Sequence, residues 1–379
     1  MKFYARAILP RGFKAGGVAS GIKRSGKLDL ALFYSEVPCL ASGKFTTNSM
    51  AAAPVQLDKK TLQSHKVFRA IIANSGNANA YTGAEGVHDA SLMAHLAARA
   101  LSIEDSRVLV ASTGIIGRRL PVEKIKKALP GLAAGLSAGG IAKAKQAIKT
   151  TDKFTKEITA KFTIGSDTVT VCGIAKGAGM IAPRMATMLV FIFTDAVITQ
   201  AALDRALGAA VGNSFNCITV DGCMSTNDSV ILLANKAAGN SCIDLTRNFT
   251  VFLGALQSVC LSLAKMIVRD GEGATKLISI SVKGAKTGND AKKIALTVAN
   301  SNLFKTAMFA SSRNIVGRIV AGVGASGAGV KEKDLSIRYS PLKKKEVDIS
   351  IGVGKGKGKA VIYTSDLSFE YVKINAEYN

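Results

Sequence analysis

A threonine at the head of an apolar run offers a candidate nucleophile. Thr187 follows a glycine-rich stretch and the small residue Ala186, and it precedes an apolar run from Met188 to Phe193 that predicts a buried strand. Attack of its hydroxyl on the preceding carbonyl would cut the chain, and the freed α-amine would serve as the base for the same hydroxyl. The alternative is an ordinary entry into a strand, which the residues alone favour because Ala-Thr pairs are common.

The small number of histidines limits the other kinds of site. The chain contains only His65, His88 and His95. His88 and His95 share one face of a predicted helix, but no further ligand or acidic cluster completes a zinc site. The sequence therefore predicts no metal, and it gives little support for a Ser-His-Asp or Cys-His triad. An acyl-transfer enzyme with so few histidines needs another base, and an N-terminal amine supplies one.

Ordered sequence blocks along the whole chain resemble one family. They are GFKAGGVASGIKRSGKLDLAL, ANSGNANAYTG, ASTGIIGRRLP, TTD, KGAGMIAPRMATML, DGCMSTNDSV, LAKMIVRDGEGATK and YVKINAEY. Blocks of this kind and order are similar to those of the ornithine acetyltransferases, also called glutamate N-acetyltransferases, of arginine biosynthesis. Two departures are Arg184, where the family pattern has asparagine, and Val316, where it usually has tryptophan.

The resemblance implies self-cleavage followed by acetyl transfer. The cut would fall between Ala186 and Thr187 and give an alpha chain, 1–186, and a beta chain, 187–379, with a C-terminal lobe over 278–379. Two alpha and two beta chains would associate. Thr187 would take the acetyl group of N-acetylornithine, ornithine would leave, and glutamate would become N-acetylglutamate. No cofactor is implied, and the use of acetyl-CoA as a second donor stays open.

A Thr-Gly turn is the candidate oxyanion hole. A strand predicted over Arg107 to Ala111 ends in such a turn, which can direct a hydroxyl and a backbone N–H at one point. An ordinary strand-to-helix turn would have the same local sequence. The resemblance makes Thr113 and Gly114 the oxyanion hole.

The resemblance also implies a set of substrate-binding residues, namely Thr150, Lys176, Thr187, Glu272 and Asn375. From the residues alone, the two hydroxyls and the carboxylate of the TTD motif could cap backbone groups or hold a substrate, and the lysine and glutamate would be solvated groups. The tail from Tyr371 to Tyr378 predicts a final strand that carries Asn375. The family has a terminal Ser or Thr five places later. This sequence ends at Asn379, so that contact is expected to be missing or replaced by the terminal carboxylate.

Composition indicates a folded protein with an unusual charge. The formal net charge is +24, from 50 basic and 26 acidic residues, and 48% of residues are hydrophobic. The lysines are scattered and no nucleic-acid-binding motif is present, so nucleic acid is not the expected partner. Six cysteines without a CxxC pair and no signal-peptide-like N-terminus favour the reducing cytoplasm. The apolar region from Phe249 to Val268 contains Gln257 and Lys265, and it predicts a buried helix, with no membrane span expected.

The predicted fold class is α/β, with layered sheets and helices. The resemblance relates it to the N-terminal-nucleophile enzymes and aminopeptidases. In the C-terminal part, the pattern predicts a strand over Leu303 to Ala310, and a hairpin of Asp348 to Val353 with Ala360 to Thr364 around the turn GKGKGK. A Gly-x-Gly-x-x-Gly match at Gly322 lacks the following helix and ribose-binding carboxylate, so no nucleotide site is predicted.

Two other functions remain as alternatives. An N-terminal-nucleophile amidohydrolase or aminopeptidase would share the fold and differ only in whether water or an amine takes the acyl group. A basic nucleic-acid-binding protein on an inactive enzyme scaffold would retain duplex DNA at physiological salt and transfer no acetyl group.

Overall fold

The structure is a computed structural model that describes residues 1–182 and 188–377. Its strands are β1 (Lys2–Tyr4), β2 (Phe13–Val18), β3 (Leu30–Phe45), β4 (Phe68–Asn77), β5 (Val108–Ile115), β6 (Lys156–Ile164), β7 (Asp167–Lys176), β8 (Leu189–Thr194), β9 (Ile218–Thr219), β10 (Ser229–Ala234), β11 (Leu277–Ala285), β12 (Ser336–Tyr339), β13 (Glu346–Gly352) and β14 (Gly358–Ser365). Its helices are α1 (Ala53–Ser64), α2 (Gly83–Leu101), α3 (Val122–Ala134), α4 (Ile141–Ala147), α5 (Gln200–Gly212), α6 (Phe249–Arg269), α7 (Gly288–Ala299), α8 (Asn302–Phe309), α9 (Ile315–Ala325) and α10 (Phe369–Ala376).

The chain divides into two compact units. Among the described residues, the first unit contains 1–177, 188–215 and 224–263, and the second contains 178–182, 216–223 and 264–377. The chain therefore passes into the second unit three times, just after β7, just before β9 and within α6.

The first unit is built on one mixed sheet. Its strand order is β1-β6-β7-β8-β10-β3-β4-β5, and β2 pairs with β3 beside that path. The β8–β10 and β4–β5 pairs are parallel, and the other pairs are antiparallel. Long β3 joins the two parts, because its first half pairs with β2 and β4 and its second half pairs with β10.

This sheet folds over on itself around an apolar core. One cluster of buried side chains contains Leu109 of β5 and Ile174 of β7, although these strands lie far apart in the sheet order. Within the cluster the ring of Phe33 lies 5.1 Å from that of Phe191 and 5.3 Å from that of Phe193. The aromatic pairs thus join two sheet layers face to face.

Helices cover the outer faces of both sheet layers. Alternate residues of β3, β4 and β5, such as Leu32 and Val110, point away from the central core and pack against α1, α2 and α3. On the other layer, Phe252 of α6 lies 6.5 Å from Phe162 of β6. The prediction of an α/β fold with layered sheets and helices is confirmed.

Helix α6 has the length and apolar composition that would allow it to cross a membrane. Phe252, Val259, Cys260 and Leu263 are fully buried along one side of it. This is the pattern of a core helix, as the sequence predicts.

The second unit contains a smaller sheet with the strand order β12-β13-β11-β14-β9. Strand β11 pairs with β13 in parallel and with β14 in antiparallel fashion. Apolar residues of α7 and α9, such as Ile294 and Ile319, pack with those of β11 and β13, such as Ile280 and Ile349, in one core. Thr287 begins α7 with a capping box formed with Asp290.

Three predictions of secondary structure in this unit are wrong. The segment predicted as a strand over Leu303 to Ala310 is the helix α8, which Ser301 caps by accepting the N–H of Phe304. The predicted hairpin is also wrong, because β11 lies between β13 and β14. The tail predicted as a strand is the helix α10. Its Ser368 hydroxyl donates to the Gly273 carbonyl at 2.6 Å, a contact with a distant loop that fixes the start of the helix.

The glycines of the GKGKGK loop lie against the backbone at the end of β11. An added Cβ would lie 2.0 Å from the Ala285 carbonyl oxygen at Gly356 and 2.2 Å from that of Thr287 at Gly358. The intervening Lys355 and Lys357 are exposed. The loop thus crosses the end of β11 with its glycines inward and its lysines outward.

Candidate active site

The predicted cleavage pair, Ala186 and Thr187, lies outside the described residues, and so does Arg184. The structure describes both flanks of this segment, in which Met180 and Ile181 lie upstream and Met188 lies downstream. The environment of the site is therefore built from the groups around these flanks.

The predicted oxyanion pair lies where two parallel strands end. Ser75 and Gly76 of β4 are in register with Thr113 and Gly114 of β5. Gly114 has a φ of +136°, and a Cβ there would lie 2.4 Å from the carbonyl carbon of Gly76. Only glycine fits at this position, which keeps two backbones in close contact beside the buried Thr113 hydroxyl.

Lys176 ends β7 and is almost fully buried. Its Nζ donates to Thr113 Oγ1 at 3.2 Å. Because Thr113 Oγ1 accepts this bond, the hydroxyl hydrogen is available to another acceptor. The sequence alone would place this lysine in solvent, but the structure places it against the candidate oxyanion hole.

Asp152 of the TTD motif organises the polar groups near Lys176. Its Oδ1 accepts from Lys156 Nζ at 2.6 Å and from the Gly177 N–H at 2.7 Å, and its Oδ2 accepts from the Thr150 N–H at 3.0 Å. Burial raises the pKa of Asp152, but Lys176, Lys156 and the Gly177 N–H outweigh it and hold that pKa below its usual value. Asp152 is thus a buried carboxylate that fixes the backbone at Thr150 and at Gly177.

A third lysine, Lys23, lies close enough to Lys176 and Asp152 for their charges to affect its pKa. Lys23 Nζ donates to the carbonyls of Leu28 at 2.9 Å and Lys149 at 2.7 Å. Burial and the charge of Lys176 together lower the pKa of Lys23 to about 8, against the opposing charge of Asp29. Lys23 therefore holds the backbone immediately before Thr150.

The asparagine-rich loop after β4 forms a structural network. Asn74 accepts from the Ser112 hydroxyl at 2.6 Å, and Asn77 donates to the carbonyls of Arg118 and Arg119. Asn227 donates to the Ser112 carbonyl at 2.9 Å. The amides thus support the backbone on either side of the Thr113 turn. The sequence alone could not decide whether this loop was a structural network or a support for the site.

Asp228 contacts the backbone directly after the predicted nucleophile. Its Oδ1 accepts the Met188 N–H at 2.7 Å, and the Met188 carbonyl accepts the N–H of Ser229 at 3.1 Å. Asp228 is fully buried, and Oδ2 has no hydrogen-bond partner within the described parts of the chain. Burial raises the pKa of this carboxyl well above its usual value, against the opposing effects of the Met188 N–H and Lys176.

In the second unit the structure brings together two of the predicted substrate-binding residues. Asn375 Nδ2 of α10 donates to Glu272 Oε2 at 2.9 Å. The Glu272 N–H donates to the Ala178 carbonyl at 2.9 Å, and a Cβ at Gly179 would lie 2.2 Å from Glu272 Oε2. The glycine-rich segment therefore runs directly against the Glu272 carboxylate.

Asp221 holds the same segment from the other side. Its carboxylate accepts the N–H groups of Met180 at 2.6 Å, Ile181 at 2.9 Å and Cys223 at 3.1 Å. Met180 has a positive φ of +55°, so these bonds stabilise a backbone conformation that is unusual for methionine. Burial raises the pKa of Asp221, the three N–H groups lower it, and Glu272 raises it again.

The structure thus arranges the predicted residues in two groups. Thr113, Gly114, Thr150 and Lys176 belong to the first unit, and Glu272 and Asn375 belong to the second. Sequence reasoning singled out the TTD motif that contains Asp152, but it missed Asp221 and Asp228, which also hold nearby backbone. The one available signal was position, since Asp228 directly precedes β10 and Asp221 directly precedes Gly222.

A metal site is not found among residues 1–182 and 188–377, where no group of three His, Cys, Asp or Glu side chains could hold an ion. His95 Nδ1 instead lies 2.7 Å from Asp105 Oδ2, an exposed hydrogen-bonding contact.

Comparison with known proteins relates the chain to one family. The model of the ArgJ family matches residues 14–342 and 339–379. The arginine biosynthesis bifunctional protein ArgJ of Geobacter sulfurreducens is 45% identical and aligns over 97% of this chain and 99% of its own. The protein of the same name from Caldanaerobacter subterraneus subsp. tengcongensis is 46% identical over 98% of this chain and 97% of its own.

A solved structure of an ornithine acetyltransferase complexed with ornithine, from Mycobacterium tuberculosis, is 38% identical. The alignment covers 50% of this chain and 99% of the solved chain, with a TM-score of 0.44.

Proposed function

The chain belongs to the ArgJ family, and from that premise we propose that it transfers the acetyl group of N-acetylornithine to glutamate, which gives ornithine and N-acetylglutamate in arginine biosynthesis. The observation that supports the proposal is the Lys176–Thr113 contact beside Gly114, because it leaves the hydrogen of a buried hydroxyl free to donate, as an oxyanion hole requires. The nearly full-length match to the family supports the same assignment.

The first step is self-cleavage at Thr187. Its Oγ attacks the Ala186 carbonyl carbon, the peptide C–N bond breaks, and the α-amine of Thr187 is released as an ester forms. Water then hydrolyses the ester to give an alpha chain, 1–186, and a beta chain, 187–379. Asp221 and Asp228 fix the backbone on the two described flanks of this segment.

The second step is acetyl transfer. The freed α-amine takes the proton of Thr187 Oγ, and Oγ attacks the acetyl carbonyl of N-acetylornithine. Thr113 and the Gly114 N–H stabilise the oxyanion of the tetrahedral intermediate, and a donor of this kind contributes about 3 kcal/mol. Ornithine leaves after it receives the proton. Glutamate then attacks the acetyl-threonine by the same steps in reverse.

Substrate binding is assigned by charge. Lys176 supplies positive charge for a substrate carboxylate, and the Thr150 hydroxyl is the second proposed donor to it. Glu272, oriented by Asn375, supplies a carboxylate for an ammonium group. The smaller lobe over 278–379 belongs to the proposed beta chain.

A second activity and an assembly extend the proposal. The relatives are named bifunctional, and we assign the second activity to acetyl transfer from acetyl-CoA to glutamate through the same acetyl-threonine. A steady-state assay with acetyl-CoA as the sole donor tests this. The assembly is two alpha and two beta chains in the cytoplasm, which size-exclusion chromatography with light scattering tests.

The decisive experiment is denaturing electrophoresis with N-terminal sequencing, followed by intact mass after incubation with N-acetylornithine. We expect two chains that remain together under native conditions, a new N-terminus at Thr187, and one acetyl group added to the beta chain. Thr187→Ala should remain uncut and inactive, and Thr187→Ser should retain part of both activities because it keeps the hydroxyl. An active enzyme that remains a single uncut chain would exclude the mechanism.

Duplex DNA binding at physiological salt by a chain that transfers no acetyl group would instead favour the nucleic-acid-binding alternative. Release of acetate with no transfer to glutamate would favour the amidohydrolase.

A further inference from the structure

We propose that a cleft in the second unit, lined by Lys286, Lys331 and Lys355, binds a small organic anion that has one negatively charged group on an apolar body. This basic cleft lies where β11 and β13 end, and its volume of about 370 Å³ is that of a small-molecule site. None of its lining residues belongs to the candidate active site. The inference therefore goes beyond the proposed function and does not depend on it.

The apolar part of the lining can hold the body of such a ligand. Ala285, Ile294 and Val353 line the cleft and belong to the core of the second unit. Ala328 and Val330, which follow α9, also line it and are only partly buried. An apolar group that enters the cleft would remove more of their surface from water, which favours binding.

The three lysines supply the positive charge. All three are exposed, and within residues 1–182 and 188–377 their ammonium groups form no ion pair or hydrogen bond. A ligand therefore gains charge-assisted contacts with them without breaking a contact that the fold already uses.

The backbone on both sides of Lys355 is attached to β11. The Gly356 N–H donates to the Gly284 carbonyl at 2.9 Å, and the Val353 N–H donates to the Lys283 carbonyl at 3.0 Å. These bonds hold the first half of the GKGKGK loop at the edge of the cleft. Less backbone freedom is then lost when a ligand binds to Lys355.

Two aspartates in the lining limit the charge of the ligand. Asp290 Oδ2 accepts the Thr287 hydroxyl at 2.8 Å and the Thr287 N–H at 3.2 Å, so the capping box of α7 holds this carboxylate. Asp334 is exposed, and its N–H donates to the Lys331 carbonyl at 3.0 Å. Because the lysines outnumber the aspartates by one, the lining complements a ligand with a single negative group.

The test is a fluorescence titration with the dye anilinonaphthalene sulfonate, which has one sulfonate on an aromatic body. Wild-type protein is compared with the triple variant Lys286→Gln, Lys331→Gln and Lys355→Gln. The variant should bind the dye with a Kd about tenfold higher, because three exposed cations are lost. Phenylnaphthylamine, the same body without the sulfonate, should bind both proteins equally. A Kd for the sulfonate that does not change would overturn the inference.

A second triple variant is the matched control. Lys343→Gln, Lys344→Gln and Lys345→Gln removes the same charge from exposed lysines that directly precede β13, whereas the basic cleft lies after it. The seven residues of the strand put about 20 Å between the two places. The control should bind the dye as the wild type does. An equal rise of Kd in both triple variants would show a general effect of charge and refute a site.

Asp334→Asn provides a change in the opposite direction. It removes a negative charge from the lining, so it should lower the Kd of the sulfonate dye by about two- to threefold. It should leave the binding of phenylnaphthylamine unchanged. Damage to the fold would weaken binding, so only a charged site explains a tighter complex. Unchanged or weaker binding of the sulfonate would contradict the charge argument.

Competition identifies the source of the ligand. Displacement of the dye by octanoate would assign the basic cleft to aliphatic carboxylates, and displacement by AMP would assign it to nucleotides. Displacement by neither would count against the inference. Lysine-dependent binding in a chain that is neither cut nor active would refute the proposed function alone. An active enzyme without lysine-dependent binding would refute only the basic cleft.

Discussion

The candidate site residues of the two units use buried charge in opposite ways. In the first unit Lys176 donates to the Thr113 hydroxyl. The nearby carboxylate of Asp152 accepts a hydrogen bond from a second buried lysine, Lys156. In the second unit the Asp221 carboxylate accepts backbone N–H groups, and the Glu272 carboxylate accepts the side-chain amide of Asn375. Burial, and to a lesser extent Glu272, raise the pKa of Asp221. Under the proposed mechanism the first group would stabilise negative charge that develops during the reaction, whereas the second would bind a cation that is already present in the substrate.

The largest expected effect is on kcat, and it follows removal of the Thr113 hydroxyl. Thr113→Ala should lower kcat by about 100- to 1,000-fold with little change in KM, because the donor acts on a charge that forms only in the transition state. Steady-state kinetics on the cut enzyme measure this, and Thr113→Ser, which keeps the hydroxyl, is the control. Near-wild-type kcat in Thr113→Ala would remove Thr113 from the oxyanion hole.

Two buried lysines around Asp152 separate catalysis from stability. Lys176→Met and Lys156→Met each take a buried cation away from the same carboxylate, so each should lower the free energy of unfolding by about 3 kcal/mol. Only Lys176 contacts Thr113, so only Lys176→Met should also lower kcat, by at least about tenfold. Denaturant unfolding and kinetics on both variants check this. Equal kcat values would give Lys176 a purely structural role.

In the second group the expected effect is on binding. Glu272→Gln should raise KM for N-acetylornithine by about tenfold with a small change in kcat, since a carboxylate that pairs with an ammonium acts alike in the ground and transition states. Glu370→Gln, an exposed glutamate of α10, is the control. Unchanged KM values for both N-acetylornithine and glutamate would argue that Glu272 only positions Asn375.

The smallest expected effect is on the pH dependence of stability, and it concerns Lys305, a buried lysine of the second unit. Burial lowers the pKa of Lys305 to about 8, against the opposing charges of Asp366 and Asp221. An unfolded lysine holds its proton to about pH 10.4. Between these values the unfolded chain binds more protons, so this group makes stability rise with pH across that window.

Lys305→Met should remove this rise, on the order of 1 kcal/mol between about pH 8 and 10. The buried thiols of Cys39 and Cys172 have raised pKa values and act with the opposite sign. Because both proteins contain them, they cancel in the difference between the two unfolding curves. Identical pH slopes would show that Lys305 titrates normally in the folded protein.

The sequence predicted best where local pattern and tertiary structure agree. The alternating and continuous apolar runs of β4, β5 and β8 have the core positions that the pattern indicates. The prediction of a strand in the tail was wrong because Val372 and Ile374 favour a strand by local preference. Its helix depends instead on a close approach at Gly273, where a Cβ would lie 2.4 Å from the Tyr371 nitrogen. A contact across so many residues leaves no local signal.

The family motifs name the candidate site residues, whose roles stay predictions, but they do not name every carboxylate that supports the nearby backbone. Thr113, Lys176, Glu272 and Asn375 lie in such motifs, whereas Asp228 is a single carboxylate in a polar loop, a common arrangement in solvent. Its contact with the Met188 N–H depends on burial, and burial depends on the fold as a whole. The charge of +24 also has no account in the described contacts.

In the GKGKGK loop, alternate residues face opposite sides. Gly356 and Gly358 face the carbonyls of Ala285 and Thr287, and the lysines between them face outward. Gly358 is also the first residue of β14 and pairs with Ala285. Residues inserted directly after Gly354 therefore leave Gly356 and Gly358 in place, whereas a side chain at either glycine would collide with the carbonyls. An engineer who lengthens the loop should insert residues between Gly354 and Lys355 and keep the two later glycines.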